Sequence, residues 1–195
     1  MLGNKNNIIY LAVSDGKIVR RVKEPTANSR QRINKDGKIV HEELYDYASG
    51  LITDIITREN EYGKFWNVAM SDEVGMTYVL QFKYSGGNAT SFLKSIPNAD
   101  VTKPITIMPK MQTVGDKKRA SLVLIQDNQA IRWKWTKDNP GDIPQLKKIK
   151  VKGLEQWDDS DMMDYLESYL ITHIKPKLTG AAVFGADDSD DETPF

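Results

Sequence analysis

Apolar positions along the chain fall into short runs divided by turn residues, the pattern of a protein built mainly from strands. Ile8-Ile9-Tyr10-Leu11-Ala12-Val13 reads as a strand, Ser14-Asp15-Gly16 as a turn, and residues 17–22 as the returning arm of a hairpin. Residues 23–37 are polar and predict a loop, from which Asp36-Gly37 turns the chain into a strand over 38–45. A three-stranded meander follows. Residues 51–58 are rich in β-branched side chains, Glu61-Tyr62-Gly63 turns them, 64–70 return, and 76–84 form the third strand. In the middle strand, alternation places Trp66, Val68 and Met70 toward a core and Phe65 on the opposite, exposed face.

Gly86-Gly87-Asn88 interrupts the strands, and residues 88–96 predict a short helix with Phe92, Leu93 and Ile96 on one side, ended by Pro97-Asn98. Residues 104–111 alternate again, with Ile105 and Ile107 on one face. Residues 119–126, a turn at Asp127-Asn128 and residues 130–135 predict a last hairpin. In its second arm Ile131, Trp133 and Trp135 share one face and Arg132 and Lys134 the other, so the tryptophans either fill a core or stack on a ligand. The basic run 147–152 suits a strand or a loop. Residues 160–175 carry the clearest helical stripe, Met162, Leu166, Tyr169, Leu170, His173 and Ile174, with Ser160 or Asp161 as its cap. That stripe packs on the rest of the chain or meets a second copy in a homodimer.

Three strands, one short helix and then further strands is the order of an OB-fold. The expected fold is therefore mainly β: an OB-fold-like Greek-key barrel with added N-terminal strands, one short internal helix plugging an end, and a C-terminal amphipathic helix. A β-sandwich is the competing architecture. Residues 1–152 would form the nucleic-acid-binding body, 153–178 the C-terminal helix, and 179–195 a flexible tether and tail.

Composition narrows the function classes. The 195 residues include no cysteine and two histidines, His41 and His173, which removes disulfides, thiolate nucleophiles and cysteine-ligated zinc. No apolar run approaches membrane-spanning length and no signal-peptide pattern opens the chain, so a soluble, cytoplasmic protein is expected. No phosphate-cradling glycine motif, spaced histidines or serine beside a base emerges. The chain reads as a non-enzyme that needs neither cofactor nor metal.

Net charge is zero, yet the two ends differ. Residues 1–152 hold 25 Lys and Arg against 16 Asp and Glu, and residues 153–195 hold 2 against 11. A +9 body invites a polyanion, and a −9 end imitates one. Basic residues are interleaved with aromatics, as single-stranded nucleic acid requires: cations for phosphates and flat rings for unpaired bases. The candidate DNA-binding set is Arg58, Tyr62, Lys64, Phe65, Lys83 and Tyr84 in the meander, Lys110, Lys117, Lys118 and Arg119 in the next hairpin, and the dense run Arg132-Trp133-Lys134-Trp135. Phe65 is the preferred stacking ring. Arg20, Arg21, Lys23, Arg30, Arg32 and Lys35 make the 20–37 region strongly positive.

The last ten residues crowd Asp187, Asp188, Asp190, Asp191 and Glu192 ahead of Thr193-Pro194-Phe195, a segment with nothing but one ring to bury. A stiff proline beside one aromatic and a terminal carboxylate is a compact ligand for a basic, apolar-floored pocket. This ending resembles the C-terminal tip of bacterial and tailed-phage single-stranded-DNA-binding proteins, with Thr193 where the bacterial form has isoleucine. The resemblance covers about a tenth of the chain. It implies sequence-independent coating of single strands in replication, recombination and repair, in a bacterial cell or phage-infected host. It also implies that Asp187, Asp188, Asp190, Asp191, Glu192, Pro194 and Phe195 contact replication partners: polymerase, primase-helicase or recombination factors. An RNA-binding OB protein and a structural or protein-interaction module remain as alternatives, and no membrane contact is expected.

Overall fold

A computed structural model of the chain describes residues 8–34, 37–151 and 153–179. The expectations for Lys35, Asp36, Lys152, residues 180–185 of the tether and every tail residue lie outside the described residues. Strands β1 (Ile8–Ser14) and β2 (Lys17–Val22) are joined by Asp15 and Gly16, both at positive φ (48° and 73°), which gives the mirror-image turn that matches strand twist. β3 (Ser29–Ile33) lies within the segment expected to be a loop. It pairs with β4 (Ile39–Tyr45) through Arg30↔Glu42 and Arg32↔Val40, so cross-strand charge rather than an apolar face holds this edge.

β5 (Ala48–Asn60), β6 (Gly63–Ser71) and β7 (Thr77–Lys83) form the expected meander. β5 is long enough to serve two partners: Ala48–Gly50 pair with β8 (Ile105–Val114), and Leu51 onward pairs with β6, across a bulge between Ile52 and Asp54. Helix α1 (Gly87–Ser95) and one 3-10 turn at Ile96–Asn98 connect β7 to β8. β9 (Lys117–Gln126) and the two-residue β10 (Gln129–Ala130) follow, joined by Asp127 and Asn128, again both at positive φ. The basic run resolves as β11 (Lys147–Val151), which pairs with β12 (Leu154–Asp158) in a separate hairpin. Helix α2 (Ser160–Tyr169) continues through a π turn at Leu170–Ile174 and a 3-10 turn at Lys175–Lys177.

The fold is mainly β, with one sheet in the order β10-β9-β8-β5-β6-β7-β1-β2-β4-β3. The expected strand–strand–strand–helix–strand–strand order is present, but the barrel is not closed. The added N-terminal hairpin is the reason: β1 lies parallel to β7 and takes the edge through which a barrel would close. The sheet curls without closing. The Asp15-Gly16 turn approaches β8 so nearly that a Cβ on Gly16 would sit 2.9 Å from the Met111 Cβ.

The concave face carries the core. Ile52, Ile55, Trp66, Val68, Met70, Leu80 and Phe82 meet Phe92, Leu93 and Ile96 from the α1 region and Met162, Met163, Leu166, Leu170 and Ile174 from α2. The C-terminal helix therefore packs on the body, and its buried stripe includes Met163 but not the exposed His173. The boundary expected after residue 152 falls inside the β11–β12 hairpin, and both sides of it share one core.

The second arm expected over residues 130–135 is not a strand. Pairing ends at Ala130, and the chain then crosses α1, where the Lys134 N–H donates to the Lys94 carbonyl at 2.7 Å and Asn98 Nδ2 donates to the Arg132 carbonyl at 2.9 Å. Trp133 and Trp135 therefore part company. Trp135 is buried edge-on against Tyr165 and Tyr169, while Trp133 is 45% exposed. Among the described residues no helix is long and apolar enough to cross a membrane.

Candidate nucleic-acid interface

The meander's register sets Arg58 opposite Phe65 and Phe65 opposite Lys83, so the three form one row across β5, β6 and β7. Directly paired residues share a face, and this row lies on the convex side, away from Trp66 and Phe82. The next row on that side is Ile56, Asn67 and Gln81. Gln81 Nε2 donates to Asn67 Oδ1 at 3.1 Å. Asn67 (2% exposed) and Gln81 (5%) keep one donor, Asn67 Nδ2, and one acceptor, Gln81 Oε1, without a partner. An unmet buried polar group is destabilising by about 1–3 kcal/mol, so this pair is a cost carried inside the sheet rather than a surface open to a ligand.

Phe65 is not the exposed ring that alternation predicts. It is 7% exposed, and β6 is buried at every position from Phe65 to Met70, so side chains on both of its faces are covered. Its facing, opposite to Trp66, is as expected. Trp66 points inward, donates from Nε1 to the Tyr84 carbonyl at 3.0 Å, and stacks on the Tyr84 ring at 5.5 Å.

Lys64 and Tyr84 turn to the same inner side and meet Glu167 of α2. Lys64 Nζ lies 2.8 Å from its carboxylate, the Tyr84 hydroxyl donates at 2.6 Å, and the Thr57 hydroxyl donates at 3.0 Å. Burial opposes ionisation of Glu167, but these hydrogen bonds outweigh it and hold the carboxyl below its ordinary range. Burial, and then the bond to Glu167, push the Tyr84 hydroxyl well up. The two side chains expected to touch DNA thus anchor α2 to the meander. Tyr62, at the β5–β6 turn, is exposed.

Lys110, Lys117, Lys118 and Arg119 are all exposed on the β8–β9 hairpin. The pairs Lys110↔Ser121, Gln112↔Arg119 and Val114↔Lys117 face away from the core residues Ile105, Ile107, Leu122 and Leu124, on the same convex side as the Phe65 row. Lys118 has the other facing and lies 3.9 Å from the Asp15 carboxylate. Arg132, Trp133, Lys134 and Trp135 form a separate group over α1. The fold therefore divides the expected set into three places.

The strongly positive 20–37 region is partly neutralised. Arg30 (3.0 Å) and Arg32 both pair with the buried Glu42, and Arg20 lies 3.4 Å from Glu43. Burial raises the Glu42 carboxyl, but hydrogen bonds from the two guanidinium groups bring it below the usual range. Glu42, Glu167, Asn67 and Gln81 are the site-shaping residues that sequence reasoning missed. The period-two spacing of Arg30 and Arg32 is the one local signal for a carboxylate facing both. Among the described residues no group of three or more His, Asp or Glu side chains is placed to hold a metal ion. Compared with known proteins, the chain matches no family model, no curated protein and no solved structure.

Proposed function

We propose that this is a nucleic-acid-binding protein of the non-catalytic kind. In particular, it binds single-stranded DNA without sequence preference, protects it during replication, recombination and repair, and recruits replication proteins through its acidic C-terminal tail. The observation that carries this reading is the convex sheet face. There exposed Lys83 ends the row Arg58, Phe65 and Lys83, in which the ring itself is buried. Lys110, Lys117 and Arg119 extend the same side. Cations meet phosphates, the sequence-independent part of nucleic-acid binding. The +9 body and the tail's resemblance to single-stranded-DNA-binding proteins support the same reading. A gel shift with oligo(dT) tests it. The expected result is a shift that competing duplex does not reverse, with affinity falling at a log–log salt slope of about −0.7 per phosphate neutralised. No shift at low salt would overturn it, and preferential competition by oligo(U) would move the assignment to RNA.

A further inference from the structure

A second place in the molecule joins a cation to aromatic rings, away from the convex face. A cleft of about 560 Å³, within the roughly 300–1,000 Å³ of small-ligand sites, opens between α1, residues 143–146 and the approach to α2. Ile143 and Met162, both in the core, form its apolar floor. Trp157 of β12 stands in its wall and is 64% exposed. Lys94 and Thr90 of α1 supply polar groups, and the half-buried Asp159 also lines the cleft.

Lys94 differs from the lysines nearby. Lys147 pairs with Asp161, and Lys148 lies 3.4 Å from Glu155. Lys94 has no carboxylate among the described residues within ion-pair distance, is half-buried, and has its ammonium destabilised by that burial. Its Nζ sits 5.5 Å from the centre of the Trp133 ring. One half-buried cation, with no carboxylate in ion-pair reach among the described residues, thus lines the same cleft as exposed Trp157 and lies near exposed Trp133, whereas Trp66 and Trp135 are buried. Lys148 Nζ lies 5.3 Å from the centre of the Trp157 ring, yet Trp157 stays 64% exposed. A nucleotide supplies a phosphate for the Lys94 ammonium and a base face for the exposed indole.

We propose that this cleft is a second nucleotide subsite, in which an unpaired base stacks on Trp157 and its phosphate pairs with Lys94. The subsite rests on the reading of the protein as a single-strand binder and lengthens the strand it covers. The full chain, titrated with oligo(dT) while tryptophan fluorescence and affinity are followed, tests it. Because two of the four tryptophans are buried, quenching reports on Trp133 and Trp157. Trp157→Ala is expected to weaken binding by roughly 5- to 150-fold and remove part of the quench, with the melting temperature unchanged. Trp157→Phe, which keeps a stacking face, is expected to restore most of the affinity. Lys94→Gln is expected to weaken binding and reduce the salt slope by about 0.7. Wild-type affinity and quench in both Trp157→Ala and Lys94→Gln, with wild type binding oligo(dT), overturn the subsite alone. Failure of wild type to bind oligo(dT) overturns both the subsite and the reading beneath it.

Discussion

Glu167 gathers three donors, from β5, β6 and the residue after β7, onto one helix, so its charge state is tied to the fold. Its carboxyl titrates below the ordinary value of about 4.3 in the folded chain. A depressed folded value means that the contribution is fully present above the unfolded value and is lost as pH falls through the folded one. Glu167→Gln is expected to destabilise the protein by about 1–3 kcal/mol at pH 7. The difference should shrink as denaturant melts move from about pH 5 down to pH 3, since the wild-type carboxyl then protonates too. A gap that stays constant across that range would detach Glu167 from the anchoring of α2. On the opposite face, Phe65 and Lys83 share a row but not an environment. Phe65→Ala opens a cavity in a buried strand and should cost about 3–5 kcal/mol of stability. Lys83→Ala removes an exposed charge, so it should leave the melting temperature unchanged while reducing the oligo(dT) salt slope by about 0.7. Calorimetry and binding on both variants check the pair, and a stable Phe65→Ala protein would contradict the burial of that ring.

At the scale of elements, α1 is fixed to the sheet by contacts that tolerate no added atom. A Cβ on Gly87 would lie 1.9 Å from the Ala120 carbonyl oxygen, and the Leu122 N–H donates to Ser91 Oγ at 2.7 Å. Helix and strand thus touch backbone to backbone at the first turn. Gly87→Ala must push α1 away from β9 or distort its start, an overpacking penalty of about 1–3 kcal/mol or more. Urea unfolding measures it, and an unchanged midpoint would mean that α1 does not sit against β9 in this way. The same docking explains why the segment after β10 leaves the sheet: it binds back to α1 through Lys94 and Asn98, which turns Trp133 outward and Trp135 inward.

Across the whole molecule the proposed function makes the opposed charges competitors for one surface. Five carboxylates in residues 187–192, tethered to a +9 body, have a high effective concentration around its cations. Deleting residues 186–195 is therefore expected to raise oligo(dT) affinity, most at low salt where screening is least. Replacing Phe195 alone should leave that affinity nearly unchanged while abolishing capture of a replication partner, because the five charges remain. An affinity that stays equal or falls on deletion at low salt would exclude self-competition and leave the tail as a docking peptide.

Much of the fold was legible in the chain because strands and helices announce themselves locally. The 15–16 turn, the β5–β6–β7 meander, the 88–96 helix and the apolar stripe of α2 all follow from side-chain period and turn chemistry within a few residues. The inward facing of Trp66 and the opposite facing of Phe65 come from the same period. Tertiary structure decided the rest, and in each case the reason is a distant neighbour. Phe65 is buried on the face opposite Trp66, and a period-two pattern gives a side chain's facing but not what covers that face. β3 exists because Glu42 faces Arg30 and Arg32 across a hairpin, and the barrel stays open because β1 takes the edge of β7. Lys64 and Tyr84 serve α2 rather than a ligand because Glu167, more than 80 residues away in the chain, is folded against them. Sequence by itself determined the meander, the two helices and the split of charge, because each is written in local period or composition; only long-range packing determined the remaining strands and which of the charged and aromatic side chains share a face.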